Sequence, residues 1–283
     1  MRYLIAGAGG MLGHDLLTEL ADRDTTALSR AQLDVTDLDA VRNASAGHNA
    51  IINAAAYTRV DDAESNEAQA HAVNATGAAN LATAAAENRA TLVQLSTDYV
   101  FDGHATAPYP EDTPPHPVSA YGRTKAEGER LAQQNNPGRT HIVRTAWLYG
   151  RHGPNFATTM LRLATEQQTV AVVTDQLGQP TWTRDLARQI VALLDSGAPA
   201  GIWHATNSGQ ASWYEFARAV FRAAGIDPDR VTRTDSSQFT RPAPRPSYSV
   251  LGHDAWATVG LTPMRHWREA LAAAAGEGLL ENE

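Results

Sequence analysis

The chain contains no cysteine, which excludes disulfides and thiolate metal sites. No stretch approaches the roughly 18 apolar residues of a membrane span. The start, Met1-Arg2-Tyr3-Leu4-Ile5-Ala6-Gly7, runs straight into a strand-like segment and leaves no room for a signal peptide, so a cytoplasmic location is expected. An excess of positive charge is also missing. The net charge is -8, whereas nucleic-acid binding needs a basic face, so neither nucleic acid nor membrane is expected as a partner. A small anionic ligand held by helix N-termini and local arginines stays open. The ten histidines are scattered without His-x-x-x-His spacing, and no metal site is expected. Gly-x-Ser-x-Gly is absent, which argues against a serine hydrolase elbow.

Lysine is nearly absent too. Of 23 basic side chains only Lys125 is a lysine. It stands four residues after Tyr121 in Ser119-Ala120-Tyr121-Gly122-Arg123-Thr124-Lys125, and on a helix that spacing places both on one face. A free phenol titrates near pH 10 and is a poor acid–base group at neutral pH. A nearby ammonium favours the phenolate and is expected to bring Tyr121 toward the working range. The alternative is an ordinary tyrosine beside an ordinary surface lysine. A chain that uses arginine everywhere else has a reason for a compact ammonium here.

Length suits one large domain or two modest ones. Arg2–Ala6 reads as a strand and Met11–Leu20 as a helix, joined by Gly7-Ala8-Gly9-Gly10-Met11-Leu12-Gly13. The G-x-x-G-x-x-G pattern of Gly7, Gly10 and Gly13 lets backbone approach a pyrophosphate at a helix N-terminus. The second strand, Thr25–Leu28, ends in Ser29-Arg30 where an acidic residue would select NAD. An arginine there accommodates a 2′-phosphate, so NADPH is expected on Ser29 and Arg30, with NADH left open. The alternative is a solvent-facing arginine with no ligand. Asp34, in the following loop, borders the adenine with Val35 on this reading. Small residues Ala54, Ala55 and Ala56 follow the strand Ala50–Asn53 and either admit a cofactor or simply pack tightly. Glu67–Asn88 reads as one Ala-rich helix in which Asn74 is structural. Thr91–Leu95 is a buried strand ending in Ser96-Thr97-Asp98-Tyr99, whose Thr97 can hold a substrate carbonyl beside the phenol. His104–Val118 is a Pro-rich loop expected over the pocket.

Alternating strands and helices up to Gly150 predict an α/β fold, a Rossmann-type doubly wound parallel sheet. The pattern then changes toward a smaller C-terminal α/β substrate-binding lobe. The expected division is 1–149 plus 183–206 for the dinucleotide domain, 150–182 plus 207–276 for the lobe, and a polar tail at 277–283.

Together GAGGMLG (7–13), NAAAYTRVDDAE (53–64), STDYVFDG (96–103), SAYGRTKAEGE (119–129), VRTAWLYG (143–150), DQLGQPTW (175–182) and SWYEFA (212–217) carry a family resemblance. In order and spacing the chain resembles the extended short-chain dehydrogenase/reductases and, within them, the dTDP-4-dehydrorhamnose reductase family. The resemblance implies an NADPH-dependent reduction of the C4 ketone of a dTDP-sugar, with Thr97, Tyr121 and Lys125 as the catalytic trio. It implies Thr58, Val60, Asp98, Tyr99 and Trp147 around the sugar. Around the cofactor it implies Gly7, Gly10, Met11, Leu12, Gly13 and Ala54–Ala56, with Tyr121 and Lys125 reaching in. Lys125 is then expected to bind the nicotinamide ribose. Relatives often carry an acidic residue where Ser29 stands, and the family's paired arginine appears here as Pro244-Arg245. The resemblance allows a homodimer; some relatives bridge theirs with a metal, and no matching carboxylate cluster stands in this sequence. The alternatives are a reductase of another dTDP-4-keto-deoxysugar, a nucleotide-sugar epimerase or dehydratase, and a non-catalytic dinucleotide-binding regulatory subunit. Tyr99 stands where dehydratases carry an acid.

Overall fold

A computed structural model describes residues 1–280. Six parallel strands form the central sheet: β1 (Arg2–Ala6), β2 (Asp24–Leu28), β3 (Ala50–Asn53), β4 (Thr91–Thr97), β5 (Thr140–Thr145) and β6 (Gly201–His204). Their spatial order is β2-β1-β3-β4-β5-β6. Strands β3, β4 and β5 are buried along almost their whole length, as expected for a parallel sheet covered on both faces. Alternation decides the face. Tyr3 and Ile5 pack with Leu12 and Leu16 of α1 (Met11–Glu19) and with Leu186 and Ile190, while Leu4 and Ala6 pack with Val41 and Leu81 on the other side. Flanking helices are α2 (Leu38–Ser45), α3 (Gly77–Glu87), α4 (Ala120–Asn135) and, further along, the helix Thr183–Ser196. The doubly wound fold expected from the sequence is present.

The strand order places the reversal of winding between β1 and β3, and ligands of such sheets bind outside the carboxyl ends at that point. Here the ends of the two strands touch. The Ala54 amide donates to the Ala6 carbonyl at 2.9 Å. Gly7 has φ +86°, and a Cβ on it would lie 2.5 Å from the Ala55 nitrogen. Only glycine meets both demands.

The Ala-rich stretch is not one uniform α-helix. A π-helical turn, Ala72–Thr76, interrupts it between Glu67–His71 and α3. The wider turn carries Asn74, which is buried, accepts from the Tyr57 amide (2.8 Å) and donates to the Thr124 hydroxyl (3.1 Å). Side-chain periodicity over so short a stretch does not separate a π-turn from an α-turn. The Pro-rich loop also differs from expectation. Tyr109 stacks on Phe101 (centroids 4.2 Å, planes 2° apart) and its amide donates to Val250, so the loop closes against the 250 segment and lines neither cleft described below.

Beyond Gly150 a second cluster gathers around Phe216, Phe221, Trp267 and Met160. It joins α5 (Phe156–Glu166), α7 (Trp213–Ala223) and α8 (Trp267–Gly276), whereas α6 (Thr183–Ser196) packs on the sheet through Leu186 and Ile190. Three two-stranded ladders connect these helices: Val170–Val173 with Val231–Thr234, Leu148–Tyr149 with Thr181–Trp182, and Leu177–Gly178 with Ala211–Ser212. Two details depart from the expected outline. Trp256 and Met264 pack into the sheet's cluster, and Leu279 and Leu280 are buried in the second cluster rather than in a free tail. Residues 281–283 of that tail lie outside the described residues. Among the described residues no helix is long and apolar enough to cross a membrane.

Candidate active site

Two adjoining clefts open along the carboxyl edge of the sheet. The first, about 550 Å³, is lined by Gly7, Gly10, Ser29, Arg30, Asp34 and Val35, with Ala54, Ala55 and Ala56 opposite. The second, about 530 Å³, shares Gly10, Ala54 and Ala56 with it and adds Met11, Leu12 and Gly13. Thr97, Tyr121 and Lys125 lie in this second cleft, as do Thr58, Val60, Asp98, Tyr99 and Trp147. Every site residue singled out from the sequence therefore lies on one of two connected surfaces.

The first cleft suits a dinucleotide for reasons visible in the backbone. A Cβ on Gly7 would collide with the Ala54–Ala55 peptide, and one on Gly13 would lie 2.6 Å from Ala8. Helix α1 starts at Gly10 with no capping side chain and no acidic residue in its first turn. Its free amides and positive dipole end face the cleft uncompensated, a ready anion site. Ser29 offers less than expected, because its hydroxyl and amide both donate to Gln32 Oε1 (2.7 and 3.0 Å). Arg30 is exposed and has no carboxylate within ion-pair distance among the described residues. The Asp34 carboxylate accepts from the amide and hydroxyl of Thr36, which holds it below the usual carboxylate range.

Helix α4 brings the Tyr and Lys in. Ser119 caps it, its hydroxyl accepting from the Gly122 amide at 3.1 Å. A Cβ on Gly122 would collide with the Tyr99 carbonyl, so glycine lets this first turn lie directly on the turn after β4. That contact sets Tyr121 beside Thr97 on the wall of the second cleft. Thr97 in turn donates to Asp98 Oδ1 at 3.0 Å, and Tyr99 meets Tyr121 edge-on (centroids 5.6 Å, 75°).

The expected acidification of Tyr121 by Lys125 is overturned here. Burial pushes the phenol up to about 12, the Thr97 hydroxyl opposing and the Asp98 carboxylate adding. The Lys125 ammonium donates instead to the Leu95 carbonyl at 2.5 Å. Burial pulls that ammonium down to about 8, with Glu129 opposing. Asp98 is also raised by burial, to about 6, against the hydroxyls of Ser249 and Thr97.

Behind Lys125 lies a layer the sequence reading did not single out. Glu129 accepts from Ser96 Oγ at 2.5 Å and from Arg144 at 2.9 and 2.8 Å, with all three residues buried. The signal was available: Tyr121, Lys125 and Glu129 repeat at four-residue spacing along one helix face. Trp213, which stands in the sequence only within SWYEFA (212–217) and with no role attached, lines the second cleft with Thr145. Arg245 donates to the Asp61 carboxylate through both terminal guanidinium nitrogens (2.5 and 2.9 Å), beside a third cavity of about 750 Å³ that Tyr99 and Trp213 also line.

Comparison with known proteins adds to this geometry. A family model described as "RmlD substrate binding domain" matches residues 1–279. A Streptomyces griseus protein named dTDP-4-dehydrorhamnose reductase is 52% identical over 95% of this chain and 91% of its own. A Streptomyces niveus protein named dTDP-4-keto-6-deoxy-D-glucose reductase is 49% identical over 96% of each. Among solved structures, a Bacillus anthracis dTDP-4-dehydrorhamnose reductase in complex with NADP superposes with a TM-score of 0.93 at 37% identity, over 98% of this chain and 99% of that one.

Proposed function

Because this chain belongs to the RmlD substrate binding domain family, we propose that its second cleft reduces a nucleotide sugar and that Thr97, Tyr121 and Lys125 carry the reaction. The chain is an NADPH-dependent oxidoreductase that converts the C4 ketone of dTDP-4-dehydro-L-rhamnose to the alcohol of dTDP-L-rhamnose. The observation that carries the assignment of roles is that Thr97 and Tyr121 line one cleft with the only lysine of the chain and with the glycine turn.

NADPH, when bound, supplies the hydride. The chain's own groups do the rest. Gly7, Gly10 and Gly13, the amides at the start of α1 and the Ala54–Ala56 strip hold the dinucleotide, and Arg30 meets the 2′-phosphate. Met11 and Leu12 close the cleft between them. Tyr121 donates a hydrogen bond to the ketone oxygen and transfers its proton as charge develops there, and Thr97 adds a second bond by turning its one hydroxyl proton from Asp98 to the substrate. A phenol near 12 is fully protonated at neutral pH, which is the form a donor must have. An alkoxide is a stronger base than a phenolate, so the proton moves downhill without prior acidification of the tyrosine. Lys125, held by Leu95, adds positive charge to the cleft floor and offers its remaining protons to the cofactor ribose. Thr58, Val60, Asp98, Tyr99 and Trp147 border the sugar.

Residues 1–149 plus 183–206 form the dinucleotide part, joined by the Trp256 stretch that packs on it, and 150–182 with most of 207–276 forms the sugar-binding lobe. The compartment we assign is the cytoplasm. A 4,6-dehydratase needs an acid where Tyr99 stands, and burial moves that phenol away from acidity.

Offering dTDP-4-dehydro-L-rhamnose with NADPH and following loss of reduced cofactor tests the reading. Stoichiometric oxidation with formation of dTDP-L-rhamnose is expected. The 49% identical relative motivates a second arm with dTDP-4-keto-6-deoxy-D-glucose. Turnover of that substrate alone would move the specificity, and turnover of neither would defeat the assignment.

A further inference from the structure

Trp147 enters the second cleft from a backbone that a bulky residue seldom adopts. Its φ is +47°, in the left-handed region. Side chains persist there only when surrounding contacts over-determine them. Two contacts do so. The indole lies flat on that of Trp213, with centroids 3.5 Å apart and planes 7° from parallel. It also rests against Gly178, where a Cβ would stand 2.5 Å from the indole ring and 2.8 Å from its nitrogen. Those two neighbours are themselves linked. Gly178 pairs with Ala211 in the short antiparallel ladder, and Trp213 opens α7 two residues later. A reciprocal cap between Ser212 and Glu215 holds that helix start (2.8 and 3.1 Å). Trp213 also packs on Phe156 at 4.5 Å and lines both the cleft with Tyr121 and the 750 Å³ cavity beside it.

We propose that Trp213 and Gly178 are positioning residues for the sugar: together they form a slot that locks the Trp147 indole as the wall of the reducing cleft, with Trp213 as the partition toward the neighbouring cavity. This rests on the reading of that cleft as the nucleotide-sugar site. The slot sits on the second lobe, whereas Thr97, Tyr121 and Lys125 sit on β4 and α4. Loosening the slot therefore disturbs where the sugar lies more than the groups that move its proton. Gly178 gives the cleanest probe, because glycine is needed there for the indole and not for its own backbone angle.

The test uses the full chain with G178A, W213A and W213F, plus W147F as the reference. A flat indole pair gives an exciton couplet in far-ultraviolet circular dichroism. The difference spectrum of wild type minus W213F should coincide with that of wild type minus W147F, and G178A should lose the same couplet. In steady state, W213A and G178A should raise KM for the nucleotide sugar about tenfold while kcat falls less than about threefold. W213F should recover most of the loss, and calorimetric affinity for NADPH should stay within about twofold in all variants. A G178A protein that keeps the couplet and wild-type KM overturns the proposal, as does W213A losing the couplet with KM unchanged. Equal losses in kcat and NADPH affinity would show general damage and would also overturn it. If W213A does not fold, G178A and W213F still decide. Wild-type protein that turns over no dTDP-4-keto sugar defeats the functional reading, while the spectra decide the slot independently.

Discussion

Lys125 donates to the carbonyl oxygen of Leu95 at 2.5 Å, from a side chain almost wholly withdrawn from water. The bond points the ammonium into the end of β4 rather than at the phenol one helical turn away. Burial weakens its hold on the proton, down to about 8. The protonated form supplies the positive charge, so the sign is set: kcat/KM should stay level on the acid side of pH 8 and fall above it. A pH–rate profile of wild type checks this. A profile level up to the range of an unperturbed lysine, near 10.4, would show that this titration plays no part.

Tyr121→Phe removes the transferable proton and keeps the ring against Tyr99. Turnover should drop about 10²–10⁴-fold, the usual contribution of general acid catalysis. NADPH affinity, measured by calorimetry, should be unchanged. Wild-type turnover in the variant would remove Tyr121 from the reaction.

Glu129→Ala should destabilise the fold by about 3–5 kcal/mol, because Arg144 would be left charged, fully buried and without its carboxylate. The guanidinium's other contacts, the Glu111 carbonyl at 3.3 Å and the His204 ring nitrogen at 3.4 Å, are long. Urea denaturation of the variant against wild type measures it. A loss under 1 kcal/mol would mean that water or a rearranged partner reaches the guanidinium.

Arg30→Ala should weaken NADPH binding about tenfold or more, the scale of a charge-assisted hydrogen bond, and leave NADH binding nearly unchanged. Paired titrations with both cofactors read this directly. Parallel losses for both would place Arg30 on the shared part of the dinucleotide instead of the 2′-phosphate.

Sequence spacing alone determined which side chains share a local face, because helical and strand periods follow from backbone geometry. The glycine turn, the Tyr121–Lys125 face and the alternation of strands with helices were legible for that reason, and Thr97 was legible as their neighbour because it ends a parallel strand at the edge where such sheets bind ligands. What the tertiary structure decided is every relation that depends on which elements lie against each other. The strand order β2-β1-β3-β4-β5-β6 is set by the direction of the crossings between strands, which no run of apolar residues records. Lys125 meeting Leu95 instead of the phenol follows from burial, and burial is a property of the assembled interior. Glu129 with Arg144, and Trp147 held between Trp213 and Gly178, join residues from separate elements, which local periodicity cannot bring together.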